Sequence, residues 1–331
     1  MSKPKVYVTR LIPRAGLNMV QEFCQAEVWP GDTPPPREVI IERIRGVDGL
    51  LSLLTDRVDA EVMDSAGGQL RVISNYAVGY DNIDVSAATE RGIMVTNTPG
   101  VLTDTTADFA FALLMTAARR VVEGMDYVRE GRWQTWGPLL LLGQDVHRAT
   151  LGIIGLGRIG RGMAKRASGF DMRVLYHDPY CPGDRGAPHS AQCVDLDTLL
   201  AEADFVSVHV PLTPETHHML STEQFQRMKP SAILVNTARG PVVDPDALYD
   251  ALKNGDIARA ALDVTEPEPL PADHKLLSLP NIIICPHIAS GSVATRSKMA
   301  TMAAANLLAG LQGQMPPHPV NPEALERRQR E

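Results

Sequence analysis

From residue 150 onward, short runs of Val, Ile and Leu recur between segments that carry helix signals. They are LGII at 151–154, RVLYH at 173–177, FVSVHV at 205–210, AILVN at 232–236, AALDV at 260–264 and IIIC at 282–285. Between them, Ser221 and Gln224 have capping-box spacing, and Gly255 closes a helical segment with Leu248, Ala251 and Leu252 on one face. Such alternation predicts strand-helix-strand units and a parallel sheet. The nearly unbroken apolar content predicts strands covered by helices on both faces.

The first hundred residues repeat the plan more loosely, with KVYVT, GLLSLL, RVISN and GIMVTN as strand candidates. A turn signal at Thr98-Pro99-Gly100 precedes a helical stretch expected from about Thr103 to Gly131, and a matching helix is expected from Ser292 to Gly313. The expected fold class is α/β, with two doubly wound parallel-sheet domains. A Rossmann dinucleotide-binding domain, 100–291, is inserted in a smaller flavodoxin-like substrate domain made of 1–99 and 292–331. The cleft between them, crossed by two helices, is the expected ligand site.

The 331 residues carry a net charge of -7, which argues against a nucleic-acid partner, because such binding draws on clustered Lys and Arg. Cys24, Cys181, Cys193 and Cys285 show no CxxC spacing, so neither a zinc site nor a disulfide framework is expected, and a reducing compartment is. The N-terminal MSKPKVYVT leads straight into a strand pattern, and FAFALLM at 109–115 falls well short of the roughly 18 residues of a membrane span. A cytoplasmic protein with no membrane partner is the expectation.

Gly155, Gly157 and Gly160 stand in GxGxxG spacing where the first long run ends and a helix begins, and Asp178 ends the next run. Glycines there let the backbone approach a pyrophosphate, while the helix N-terminus supplies N–H groups and positive potential. Asp178 would accept hydrogen bonds from a ribose diol and repel a 2'-phosphate, so NAD is the expected cofactor and NADP the alternative.

Functional groups of an open parallel sheet collect beyond the C-terminal ends of its strands. Arg239 follows AILVN, Glu268 lies a few residues past AALDV, and His287 follows IIIC and Pro286. Arg239 suits a carboxylate, and Glu268 beside His287 would stabilise the imidazolium as a proton donor. His209, at the end of another run, is placed beside the cofactor. His217 and His218, being adjacent, are expected to point apart with no carboxylate or cysteine at metal-ligand spacing, so no metal is expected. His147, His177, His189, His274 and His318 read as surface or core positions. The tryptophans of GRWQTWGP, 131–138, read as an interface anchor or as loop packing.

Over essentially its whole length the chain resembles the D-isomer-specific 2-hydroxyacid dehydrogenase family, and within it the glyoxylate and hydroxypyruvate reductases. NYAVGYDNID at 75–84, NTPGVLTDTTADFAFALLM at 97–115, GIIGLGRIG at 152–160, VNTARGPVVD at 235–244, ALDVTEPEP at 261–269 and CPHIAS at 285–290 carry the resemblance. It implies Arg239, Glu268 and His287 as the catalytic set and Leu53, Val78 and Gly79 as further substrate contacts. For the cofactor it implies Thr106, Leu156, Arg158, Ile159, Val210, Pro211, Thr216, Thr237, Ala238, Asp263, Ala289 and Ser290 beside the residues named above. It also implies a homodimer with WQTWGP at the interface.

Tyr76 stands where phosphite-oxidising relatives carry lysine, which disfavours that activity, and HDPY at 177–180 stands where NADPH-preferring relatives carry basic or hydroxyl-bearing residues. The expected activity is NAD(P)-dependent reduction of a small 2-oxo acid, glyoxylate or hydroxypyruvate. The alternatives are a dehydrogenase of a larger or phosphorylated D-2-hydroxy acid and an NAD-sensing binding protein resembling co-repressors.

Overall fold

A computed structural model describes residues 2–179 and 190–328; Tyr180, Cys181 and His189 lie outside them. The chain divides into two units, Met1–Leu102 with Gly291–Glu331, and Thr103–Ser290.

The first unit holds a five-stranded parallel sheet. Its strands are β1 (Lys5–Val8), β2 (Gln25–Val28), β3 (Gly49–Ser52), β4 (Val72–Asn75) and β5 (Met94–Thr96), in the order β2-β1-β3-β4-β5. Alternate residues serve opposite faces. Val6, Val8, Leu51 and Val72 join one core, and Tyr7, Leu50, Ile73 and Val95 the other. Helices α1 (Arg14–Phe23), α2 (Arg37–Arg43), α3 (Ala60–Ser65) and α4 (Val85–Glu90) connect the strands. Asp59 and Asp84 cap α3 and α4.

The second unit begins with α5 (Thr103–Ala118) and α6 (Val121–Arg129). A parallel sheet follows, built from β6 (Thr150–Ile154), β7 (Arg173–His177), β8 (Gln192–Cys193), β9 (Phe205–Val208), β10 (Ile233–Asn236), β11 (Arg259–Leu262) and β12 (Ile282–Ile284). The order is β12-β11-β10-β9-β6-β7-β8, so the direction of winding reverses between β6 and β9. Crossover helices are α7 (Arg158–Ser168), α8 (Leu196–Glu202), α9 (Thr222–Arg227) and α10 (Pro245–Asn254). Leu151, Ile153, Phe205 and Val235 pack with α5 and α7, while Ile154, Leu175, Val206 and Leu234 pack with α8 to α10. The Ser221 capping box forms, and Gly255 ends α10 with φ +79°. The chain then returns to the first unit through α11 (Val293–Leu311) and α12 (Glu323–Arg328).

Four expectations change. The single helix from Thr103 to Gly131 is two, broken where Arg120 takes φ +53°. Arg120 Nε pairs with Glu123 at 2.9 Å, and Glu123 also pairs with Arg259 of β11 at 2.8 Å, so ion pairs to the sheet hold α6 in its own direction. The IIIC run is an edge strand: both faces are packed, yet Ile282, Ile283 and Ile284 stay partly exposed because β12 is the last strand on its side of the sheet. Strands β2 and β8 had no apolar run to announce them. Cys193 is disulfide-bonded, against the expectation of no disulfide, whereas Cys24 and Cys285 are free thiols; spacing along the chain does not report which cysteines the fold brings together.

Among the described residues, no helix is long and apolar enough to cross a membrane.

Candidate active site

Strand β6 runs into the glycine loop at the winding reversal. Gly155 has φ +92°, and a Cβ there would lie 2.8 Å from the carbonyl oxygen of His209, so the loops after β6 and β9 meet too closely for any side chain. Gly157 is the N-cap of α7, with no side-chain cap and no atom within 4 Å of where its Cβ would be. The first N–H groups of that helix, from Arg158 and Ile159 on, thus lie beside open space, the arrangement an anionic diphosphate requires. Leu156 N–H donates to Asp178 Oδ2 at 2.8 Å, and Gly155 N–H to His177 O at 2.8 Å, which seats the carboxylate that ends β7 against the glycine loop.

The loop after β9 is fixed from within. His209 N–H donates to Ile154 O at 2.7 Å, and its Nε2 lies 2.8 Å from Ser207 Oγ. Burial pushes the His209 imidazole pKa down to about 3, so the ring is neutral at physiological pH. Val210 is half-buried and leads to Pro211, whose carbonyl accepts the Thr216 hydroxyl at 2.7 Å, while Thr216 Oγ1 accepts Thr213 N–H at 2.8 Å. In the loop after β10, Asn236 accepts from Ala238 N–H at 3.0 Å and donates to Arg239 O at 2.9 Å. The Thr237 hydroxyl is buried with no partner among the described residues. An orphaned hydroxyl at this edge of the sheet fits a site completed by a bound ligand. Arg239 Nη1 donates to Ala238 O at 2.8 Å.

The loops after β11 and β12 carry the titratable pair. Glu268 Oε1 lies 2.6 Å from His287 Nδ1, and Glu268 Oε2 accepts Thr265 N–H at 3.4 Å. His287 sits at φ +54°, a conformation unusual outside glycine. It is imposed by Asp263, whose carbonyl accepts His287 N–H at 2.8 Å and whose carboxylate oxygens each accept one N–H at 2.8 Å, from Ile288 and Ala289. Burial raises the Asp263 carboxyl pKa. Ser290 follows Ala289 at the end of this unit, and Thr106 is buried in α5.

In the first unit, Leu53 follows β3, and Val78 and Gly79 follow β4. Asparagines that sequence reasoning did not single out organise both loops. Asn82 Nδ2 donates to Leu53 O at 3.0 Å and Asp56 O at 2.9 Å; Asn75 donates to Gly79 O at 2.8 Å, and Asn97 to Val78 O at 2.7 Å. Asp56 is buried, accepts Leu53 N–H at 2.7 Å, and has its carboxyl pKa raised by that burial. Polar residues closing apolar strand runs were the available signal.

His217 and His218 do not point apart. Their rings stack with centroids 4.0 Å apart, and Glu266 Oε2 approaches His218 Nε2 to 2.7 Å. The expectation assumed a regular element, and this loop is not one.

The family model for the D-isomer-specific 2-hydroxyacid dehydrogenases, NAD binding domain, matches residues 111–289. The glyoxylate reductase of Korarchaeum cryptofilum is 57% identical over 325 residues, covering 98% of each chain. A solved structure from Thermus thermophilus superposes with a TM-score of 0.90 at 50% identity, over 96% of this chain and 99% of that one. The NADPH-dependent glyoxylate/hydroxypyruvate reductase of Sinorhizobium meliloti, solved with NADP and malonate, gives 0.84 at 33% identity, over 98% of each. Since identity above one half runs through almost the full length of a relative, and the cofactor-domain model matches residues 111–289, which carry the glycine loop and the loops after β9, β10 and β11, this chain belongs to the D-isomer-specific 2-hydroxyacid dehydrogenases, NAD(P)-dependent oxidoreductases.

Proposed function

We propose that this chain reduces glyoxylate, with hydroxypyruvate as a second substrate, to glycolate or the D-2-hydroxy acid, and that NADH is its preferred donor. The observation that carries the reading is the 2.6 Å contact between Glu268 Oε1 and His287 Nδ1. A carboxylate that accepts a hydrogen bond from Nδ1–H fixes the ring and its tautomer, which supports Nε2 as the group that faces the reacting oxygen. The bound nicotinamide supplies the hydride. His287 gives its Nε2 proton to the carbonyl oxygen, Glu268 holds the imidazolium before transfer, and Arg239 grips the substrate carboxylate through its planar donors.

Asp178 supports NADH, since its carboxylate is held against the glycine loop at Leu156 N–H, where a 2'-phosphate would meet like charge. The names of the relatives support a small 2-oxo acid. The test is nicotinamide absorbance at 340 nm with a panel of 2-oxo acids and both cofactors. Turnover highest with glyoxylate or hydroxypyruvate is expected, and no turnover of any member defeats the reading. His287→Ala should remove turnover while NADH still binds.

A further inference from the structure

His217 and His218 lie in the loop after β9, beyond the residues assigned to the cofactor. The chain turns sharply here. His217 N–H donates to Thr213 O at 3.0 Å; His218 takes φ +50° and its N–H donates to Pro241 O at 2.8 Å. That turn brings the two imidazoles one over the other, with their planes only 28° apart. Stacked rings can present ring nitrogens to the same side. Glu266 arrives there from the loop after β11, and a ring nitrogen of each histidine and a carboxylate oxygen of Glu266 all lie within 4.8 Å of one another.

We propose that His217, His218 and Glu266 form a binding site for a divalent transition-metal ion of the zinc class. Two imidazoles and one carboxylate suit Zn²⁺, Co²⁺, Ni²⁺ or Cu²⁺, whereas Mg²⁺ and Ca²⁺ take all-oxygen sets. With bonds of about 2.0 to 2.2 Å, ligand atoms around tetrahedral zinc stand about 3.3 to 3.5 Å apart. His218 Nε2 and Glu266 Oε2 are already nearer than that, at 2.7 Å, so they open slightly to admit an ion. His217 closes the remainder by rotating an exposed side chain, which shifts its stacking on His218 but no buried group.

A hydrogen bond between His218 and Glu266 accounts for those two residues as a simple tie between loops. It does not account for His217, whose ring has only the stacking contact among the described residues. The ion takes the lone pair of His218 Nε2, so the neutral ring binds it with its one proton on Nδ1, and any proton held between Nε2 and the carboxylate leaves to solvent. Affinity therefore falls as the pH is lowered and protons compete for the imidazoles. Water fills the remaining coordination position, as in three-ligand zinc sites.

The site joins two loops of the same unit. One carries Thr216 immediately before His217; the other carries Glu268 two residues after Glu266. A bound ion would clasp them together and stabilise the folded chain by mass action.

The experiment uses full-length protein without a polyhistidine tag, treated with EDTA, dialysed, and titrated with ZnCl₂ by calorimetry and with CoCl₂ by visible absorption. One zinc per chain is expected, together with the visible bands of Co²⁺ in a low-coordinate nitrogen and oxygen site, neither displaced by excess Mg²⁺. His217→Ala removes a ligand from an exposed position, and Glu266→Gln keeps a carbonyl to hydrogen-bond His218; each should weaken zinc binding by about tenfold or more. Wild-type protein that shows no saturable binding, or His217→Ala that binds zinc as tightly as wild type, overturns the proposal. Neither readout involves turnover, so the result stands apart from the proposed reductase activity.

Discussion

Gly160 sits so close to Gly155 that a Cβ added to it would lie 2.2 Å from the Gly155 carbonyl oxygen. The helix start and the turn before it are in backbone contact, and neither can retreat, because Gly155 is itself pressed against His209. Gly160→Ala should therefore cost more than about 2 kcal/mol of stability and remove nucleotide binding with it. Gly157→Ala meets no protein atom and should lower the melting temperature only slightly, as a poorer helix N-cap, yet weaken NADH about tenfold or more by occupying space a diphosphate needs. Calorimetric melting with a fluorescence titration of NADH checks the contrast. Equal effects of the two substitutions would contradict it.

Asp263 organises the backbone at His287 through both carboxylate oxygens. Asp263→Asn keeps the shape but turns one acceptor into a donor facing an N–H group, leaving a buried amide unsatisfied. A loss of about 1 to 3 kcal/mol is expected. Turnover should fall by about tenfold or more as His287 loses its set position. Urea unfolding and initial rates measure the two effects, and a variant with wild-type stability would show that these hydrogen bonds contribute nothing.

His209 gives a sign to the pH dependence of stability. Its folded pKa of about 3 lies below the ordinary histidine value of about 6.5, so between these limits the unfolded chain takes up a proton that the folded chain refuses. Its contribution is fully present above about 6.5 and is lost as the pH falls toward 3, at no more than about 1.4 kcal/mol per pH unit. His209→Gln removes this titration. Between pH 7 and pH 5.5 the stability gap between wild type and variant should move in the variant's favour by on the order of 1 kcal/mol in urea unfolding. Parallel curves would mean the imidazole protonates equally in both states.

The wide exposure of Trp133 and Trp136, 62% and 78%, lies in irregular chain after α6, with Leu139 and Leu142 exposed nearby. Large exposed apolar side chains are the kind that association surfaces use. If the chain pairs with a second copy through them, light scattering should find a dimer for the wild type and a monomer, folded by circular dichroism, for the double substitution Trp133→Ala and Trp136→Ala. A double variant that remains dimeric at the same concentration removes this segment from the interface.

What the sequence disclosed follows the strength of local signals. RVLYH at 173–177 became β7 residue for residue, because a central parallel strand must be apolar on both faces. QAEV at 25–28 is β2, an edge strand with alternating exposure and too few apolar residues to stand out. The break at Arg120 depends on Arg259, far along the chain, whose partner Glu123 is shared with Arg120. No local pattern contains that. The same limit applied to His217 and His218, where the rule that neighbours diverge fails once a residue takes positive φ. Arg239, Glu268 and His287 were legible as candidates because strand ends are where such groups collect, whereas Asn75 and Asn82 act through backbone hydrogen bonds that spacing does not reveal, and Asp263, expected beside the cofactor, holds the backbone at His287 in the same way.

Asp178 offers the sharpest test of cofactor choice. Its Oδ2 is engaged by Leu156 N–H at 2.8 Å, so the carboxylate is tied to the glycine loop and cannot simply swing away from an incoming phosphate. Two charges of one sign about 4 Å apart repel by about 4 kcal/mol at an effective dielectric near 20, a cost that NADPH would meet and NADH would not. Asp178→Ser removes the charge and leaves a hydroxyl able to donate to a phosphate oxygen. The ratio of kcat/KM for NADPH to that for NADH should rise by about tenfold to a thousandfold, mostly through a lower KM for NADPH. Initial rates with both cofactors at saturating glyoxylate measure it. A ratio that does not change would place the 2'-position of the ribose elsewhere and remove Asp178 from cofactor selection.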